Sequence, residues 1–90
     1  MRITEIRVSL LGDKELKAFI SIVLDGCFVV RGLKIVKGKH GLFVAMPSRR
    51  RREGGYRDIC HPLDTRTRRW MEAEIMAKYR AVLEKNALVG

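Results

Sequence analysis

The chain has 90 residues, of which 47% are hydrophobic, and carries a formal net charge of +9 from 19 basic and 10 acidic side chains. The hydrophobic fraction argues against wholesale disorder, and no apolar run reaches the roughly 18 residues of a membrane span. The length predicts a single domain, residues 1–90, whose modest core favours pairing with a second copy, and the charge favours a polyanionic partner.

The N-terminal segment MRITEIRVSL alternates between polar and apolar residues, unlike the continuous apolar core of a signal peptide. We therefore expect a cytoplasmic protein in which the two cysteines, Cys27 and Cys60, are reduced and unpaired. Within this segment, ITEIRVSL predicts a first strand with Ile6, Val8 and Leu10 on one face.

The next two segments predict a β-hairpin. LKAFISIVL alternates so that residues 16, 18, 20, 22 and 24 share one face, which leaves Phe19 on the other. Asp25-Gly26 is favourable for a two-residue hairpin turn, and CFVVRGLKIV predicts the returning strand. Gly32 inside that strand predicts a bulge or a bend. The turn KGKHG then leads into a short apolar strand, LFVAM, which ends before Pro47.

The second half of the chain predicts a basic loop followed by a helix. The arginine run 49–52 and Gly54-Gly55 predict a loop of about eight residues, and YRDIC predicts a weaker fifth strand. Asp64 or Thr65 is suited to cap a helix that continues to about residue 85. Its apolar face consists of Met71, Ile75, Tyr79 and Val82. The predicted fold is therefore α+β, an antiparallel sheet of four to five strands with a C-terminal α-helix.

Residues 46–70 carry more than half of the excess charge. They contain eight arginines and no lysine, against the three acids Glu53, Asp58 and Asp64. The arginines are Arg49, Arg50, Arg51, Arg52, Arg57, Arg66, Arg68 and Arg69. A guanidinium group binds phosphate through two parallel hydrogen bonds and stacks on bases, so these eight residues are the candidate nucleic-acid-binding site.

Three of these arginines, Arg66, Arg68 and Arg69, lie in the first turns of the predicted helix, where the macrodipole favours acidic side chains. Their positions disfavour the helix unless an anion binds there, and a helix N-terminus binds phosphate well. The alternative is a solvated basic loop without a partner, the common role of a charge run. Tyr56, Trp70 and the face that carries Phe19 offer rings for base stacking, or for packing against the helix or a second subunit.

Other combinations of residues predict neither a catalytic nor a metal site. Cys60 is the last residue of the predicted fifth strand and His61 follows it; adjacent residues in strand geometry point to opposite faces, so the two cannot act as a dyad. The cysteines and histidines lack CxxC and HxxxH spacing, and Asp25 and Asp58 have no paired carboxylate. We expect neither enzymatic activity, nor a cofactor, nor a small-molecule substrate.

The segment GLFVAMPSRRRREGGYRDICHP, residues 41–62, is similar to the signature of the stage V sporulation protein G (SpoVG) family. In that family a glycine precedes a short apolar strand ending in Met-Pro-Ser, then a basic loop, an aromatic-Arg-Asp-Ile strand and His-Pro. The resemblance extends to ITEIRV, to SIVLDGCFVVRGLKIV and to the helix that contains Tyr79. The loop of this chain has four arginines where the family often has fewer basic residues.

The resemblance implies a bacterial cytoplasmic regulator, a homodimer that binds DNA and in some members RNA. It also implies a connection with sporulation, asymmetric septation and the regulation of other genes. Carried over by position, the basic loop is Arg49–Arg52 and the helix start is Arg66–Arg69. The alternative is a protein-interaction module of the septation machinery whose basic patch binds an acidic protein or an anionic lipid. The arginines cluster at one end of the helix, which favours a discrete anionic partner.

Overall fold

The computed structural model describes residues 1–89, and this range contains six strands and one helix. In chain order they are β1 (Ile3–Leu10), β2 (Leu16–Leu24), β3 (Phe28–Gly38), β4 (Gly41–Ala45), β5 (Ser48–Arg50), β6 (Tyr56–Asp58) and α1 (Thr65–Val89). Strands β1 to β4 form an antiparallel sheet in the order β1-β2-β3-β4, and β5 and β6 form a separate two-stranded sheet. The predicted α+β fold with a C-terminal helix is confirmed.

Short turns connect β2 to β3 and β3 to β4, whereas a five-residue segment, residues 11–15, connects β1 to β2. Asp25 and Gly26 have φ angles of 51° and 65°, the positive values that a type I′ turn requires at both central residues. Asp25 Oδ1 also accepts a hydrogen bond from Arg2 N–H at 2.9 Å, which ties the N-terminus to this turn. In the next hairpin Gly38 pairs with Gly41. The turn predicted at Asp25-Gly26 is confirmed, but its length differs from the prediction. Leu24 pairs with Phe28, so Cys27 also lies in the connection, which has three residues instead of two.

A bulge interrupts β3 at Gly32, as the sequence predicts. The ladder pairs Ile20 with Leu33 and Ile22 with Val30, so β3 has two residues opposite a single residue of β2 there. Gly32 has a φ angle of 87°, which a residue without a Cβ adopts at little cost. The extra residue reverses the alternation of β3, so residues on either side of the bulge share a face at odd spacing.

The core lies between the sheet and one face of α1, which contacts both edge strands, β1 and β4. Its ten buried residues are Ala18, Ile20, Ile22, Leu33, Ile35, Val44, Met46, Met71, Ile75 and Tyr79. Val82 is half-buried on the same side of the helix, so the predicted apolar face of α1 is confirmed. Truncating fully buried Ile75 to alanine should cost about 2–5 kcal/mol through lost burial and the cavity left behind.

In the range that the structure describes, α1 included, no helix is both long and apolar enough to cross a membrane.

Strands β5 and β6 correct two sequence-based expectations. The predicted eight-residue loop is wrong, because Arg49 and Arg50 lie in β5 and only Arg51–Gly55 connect it to β6. The fifth-strand segment YRDIC is a strand only over Tyr56–Asp58, and it pairs with β5 instead of extending the four-stranded sheet. Both strands are exposed along their whole length, so neither has the alternation that predicts a strand. We call residues 48–58 the arginine ribbon.

Candidate nucleic-acid interface

The arginine ribbon is held by local hydrogen bonds. Ile59 N–H donates to Pro47 O at 2.7 Å at its base, and Arg51 N–H donates to Gly55 O at 2.9 Å across its turn. Gly54 and Gly55, with φ angles of 103° and 77°, allow this turn. An isolated two-stranded ribbon is only marginally stable in water. Burial of side chains therefore contributes little to the stability of the ribbon, and charged residues can occupy its positions at little cost in stability.

A groove with a volume of about 530 Å³ brings the arginines of the ribbon together. Its lining residues are Arg49, Arg50, Arg51, Arg52, Glu53, Arg57, Asp58 and Ile59. Within residues 1–89 the single ion pair of this cluster joins Arg51 Nε to Glu53 Oε2 at 3.4 Å. Both side chains are more than half exposed, so water and salt screen the pair. Five guanidinium groups beside two carboxylates leave this groove strongly positive.

The register of the ribbon places two like charges side by side. Arg49 lies directly opposite Arg57 in the antiparallel pair. Directly opposed side chains share a face, and like charges in that position destabilise the pairing. An anion that binds both guanidinium groups removes this repulsion, and phosphate oxygens match the geometry of a guanidinium fork.

The second group of arginines lies at the start of α1. Asp64 caps this helix, since its Oδ1 accepts a hydrogen bond from Thr67 N–H at 2.6 Å, and the predicted cap is confirmed. The backbone hydrogen bond from Thr67, together with a side-chain hydrogen bond to the same residue, holds the pKa of Asp64 below its ordinary value. The first turn of α1 contains no acidic residue. Arg66 and Arg69 are exposed there and Arg68 is half-buried.

The eight predicted site residues form two groups. Arg49–Arg52 and Arg57 share the groove of the ribbon, whereas Arg66, Arg68 and Arg69 are not among its lining residues. The connecting segment runs from Ile59 to Asp64 and leads directly from β6 to the helix. An anion would therefore have to extend beyond the groove to contact both groups.

The expected geometry of Cys60 and His61 is wrong, because β6 ends at Asp58 and these two residues lie outside a strand. Both line an apolar cavity of about 240 Å³ beside the start of α1. His61 Nδ1 lies 2.9 Å from Pro62 O and donates to it, since a carbonyl oxygen only accepts. Cys27 and Cys60 are both exposed and are not joined to each other.

The sequence comparisons agree with each other. A model of the SpoVG family matches residues 1–81. A protein from Anaeromyxobacter sp. (strain Fw109-5), named "putative septation protein SpoVG", is 52% identical over 87 residues, which are 97% of this chain and 90% of that protein. This chain belongs to the SpoVG family.

Two further members of the SpoVG family carry the same name as the first. The protein from Anaeromyxobacter dehalogenans (strain 2CP-C) is 49% identical over 97% of this chain and 86% of its own length. The protein from Bdellovibrio bacteriovorus is 49% identical over 93% of this chain and 78% of its own length. The resemblance stated from residues 41–62 is thereby confirmed, and the match to the family model contains both groups of arginines.

The sheet of this SpoVG-family chain presents basic residues that the sequence pattern did not single out. Arg7 and Arg31 border a shallow depression together with Phe19, on the face of the sheet opposite the buried core. Lys34 lies directly opposite Phe19 in the ladder between β2 and β3. Simple alternation separates residues 31 and 34, and only the bulge at Gly32 brings them to the same face. Gly32 is the signal for this arrangement in the sequence, but the face on which the neighbouring cations lie follows only from the register of the strands.

Proposed function

We propose that this protein is a nucleic-acid-binding regulator of the SpoVG family that acts without enzymatic activity, as a homodimer. The names of its relatives support a role related to septation. The observation that carries the proposal is the groove of the ribbon, in which five arginines have one exposed ion pair among them in the described residues. Phosphates neutralise such a cluster and release counterions from the nucleic acid as they do so.

The shape of the arginine ribbon also supports this function. A two-stranded β-ribbon has the dimensions to enter the major groove of B-DNA. Arginines at the turn and on β5 would then contact phosphates on either side of the groove, and the net charge of +9 would steer the encounter. The exposed arginines of the helix start, Arg66 and Arg69, would extend the contact along the backbone.

The dependence of affinity on salt tests the proposal. With about five phosphate contacts on a duplex, the logarithm of the affinity should fall with the logarithm of salt concentration at a slope of roughly −4 to −5. Replacing Arg49, Arg51 and Arg57 by alanine removes up to three contacts, so the slope should move to about −2. Fluorescence anisotropy of a labelled duplex, titrated from low to physiological salt, measures both slopes.

A variant of equal net charge provides the control. Lys14, Lys37 and Lys39 lie together at a surface by the hairpin turns, at the end of β4 away from the ribbon. Replacing them by alanine should leave the slope close to that of the wild type. Equal losses in both triple variants would show that only total charge matters, and a wild-type affinity independent of salt would contradict phosphate binding. Binding to anionic vesicles without binding to nucleic acid would favour the lipid alternative.

A further inference from the structure

The four-stranded sheet has an open face that carries two aromatic rings. On β2, Ala18 and Ile20 are buried on the side of α1, and Phe19 between them points away and is 44% exposed. On β4 the ring of Phe43 is 47% exposed. A Cβ added to Gly38 would lie 3.0 Å from Phe43 Cε1, so this ring rests against the backbone of a glycine. Because Gly38 has no side chain, the Phe43 ring can pack directly on the backbone of β3.

The spacing of the two rings follows from the register. Phe19 pairs with Lys34 on β3, and Phe43 pairs with Val36 two residues further along the same strand. Two strand spacings of about 4.8 Å and two residues of about 3.3 Å separate the Cα atoms of the phenylalanines by roughly 12 Å. The rings are therefore too far apart to stack on each other, and each offers a π-face of its own.

The charged side chains beside Phe19 are mainly positive. The depression beside Phe19 is lined by Arg7, Ser9, Phe19, Ile20, Ser21, Arg31 and Gly32, with no carboxylate among them. Arg7 pairs with Glu5 at 3.2 Å, and both side chains are largely exposed. Arg31 and Lys34 form no ion pair with any residue from 1 to 89. Exposed rings interleaved with unpaired cations match a chain of bases linked by phosphates.

We infer that this open sheet face is a stacking platform for single-stranded nucleic acid, separate from the arginine ribbon. The inference deepens the proposed function and rests on it. Bases splayed from a single strand stack on Phe19 and Phe43, and the backbone phosphates lie along Arg7, Arg31 and Lys34. A duplex keeps its bases stacked inside, so it has no partner for these rings. A second copy of the chain would bring the same cations against one another across a two-fold axis.

Alanine variants separate the platform from the ribbon. Phe19→Ala combined with Phe43→Ala should weaken binding of labelled oligo(dT) about tenfold, or 1.4 kcal/mol, and leave the affinity for a mixed-sequence duplex within about twofold. Oligo(dT) is a suitable probe because stacking does not require the 2′-hydroxyl of RNA. Phe28→Ala is the matched control, since Phe28 is 63% exposed but borders the apolar cavity on the side of α1. It should change neither affinity.

A tryptophan variant keeps the test decisive if the alanine variants unfold. Phe19→Trp preserves a ring, so it should retain oligo(dT) binding, and the added emission should be quenched by the oligonucleotide. The wild type, whose one tryptophan is Trp70, supplies the background. Absence of quenching while oligo(dT) binds would overturn the platform.

The remaining outcomes distinguish this inference from the proposed function. If the wild type binds neither oligo(dT) nor duplex, the proposed function fails and the platform with it. If the wild type binds both and the double alanine variant binds oligo(dT) equally well, only the platform fails. If Phe19→Ala alone, a change on the inner strand β2 away from the β4 edge, lowers both affinities equally and yields a monomer where the wild type is a dimer, the face is an interface between copies and the platform is overturned.

Discussion

At the scale of single residues, the carboxylate of Asp64 fixes where α1 begins. Besides the 2.6 Å bond from Thr67 N–H to its side chain, its carbonyl oxygen accepts from Arg68 N–H at 3.1 Å. The hydrogen bonds from Thr67 hold the pKa of Asp64 below 3.8. Since the folded pKa is lower than the unfolded pKa, the stabilisation is complete above the unfolded value and is lost as the pH falls through the folded value.

We therefore predict a pH-dependent effect of Asp64→Ala. At neutral pH this variant should melt several degrees below the wild type, because an alanine cap leaves helix N–H groups unsatisfied. The difference should shrink as the pH falls below about 3.8, where the wild-type carboxylate becomes protonated. Asp64→Asn, which also caps but does not titrate, should stay close to the wild type at neutral pH. Thermal melts across this range measure the effect, and a difference that is constant with pH would contradict it.

At the scale of elements, the start of α1 combines arginines with the positive end of the helix dipole. Arg66 and Arg69 are exposed and have no carboxylate within ion-pair distance in residues 1–89. We predict that replacing both by alanine leaves the thermal midpoint unchanged or raises it, because two unfavourable charges are removed. Affinity for a duplex should fall at least about fivefold, or about 1 kcal/mol, through lost phosphate contacts.

The exposed Arg80, further along the same helix, supplies the control for this prediction. Arg80→Ala removes an equivalent charge away from the helix start and should have little effect on affinity. A double variant that melts earlier than the wild type and binds as tightly would show that Arg66 and Arg69 are structural. The ribbon would then be the main binding surface.

Elements with a periodic or turn signal could be predicted from the sequence. The alternation of β2 over residues 18–24 and the apolar face of α1 predict which side chains are buried, and Gly32 predicts the bulge of β3. The predicted alternation fails at Leu16, because a bulge lies between Leu16 and Ala18. The arginine ribbon gives no such signal, because both faces of β5 and β6 are exposed. The two strands form because β5 pairs with β6 and because Ile59 N–H donates to Pro47 O. Neither interaction is visible in the alternation of polar and apolar residues. For the same reason the sequence predicts a strand as far as Cys60, whereas β6 ends at Asp58.

The candidate site was predictable in composition and only partly in geometry. The arginine run and the helix-start arginines are visible as charge, but their separation into two groups depends on how residues 59–64 connect the ribbon to α1. The direct pairing of Arg49 with Arg57 requires the strand register. Arg31 and Lys34 lie on the same face beside Phe19 only because the bulge at Gly32 adds one residue to β3.

At the scale of the whole molecule, a single helix on one face of the sheet leaves a thin body. Its principal extents are 44 × 32 × 21 Å and its radius of gyration is 13.7 Å, compared with about 12 Å for a compact chain of this length. The two edge strands of the sheet differ in how well they are protected against pairing with another chain. Strand β1 carries Glu5 and Arg7, whereas β4 has no charged residue and exposes Leu42 and Phe43. An uncharged edge strand is a template for pairing with another chain.

We predict that two copies pair through their β4 edges and form the homodimer included in the proposed function. An isologous contact places the same residues of both copies near one another, so Leu42→Lys should introduce repulsion across the two-fold axis and yield a monomer. Ser9→Lys, at an exposed position of the β1 edge, should leave the dimer intact. Sedimentation equilibrium at micromolar concentration measures the mass. The thermal midpoint of the wild type should rise with protein concentration, and that of the Leu42→Lys variant should not. A wild-type monomer, or a dimer that survives Leu42→Lys unchanged, would place the contact elsewhere or remove it.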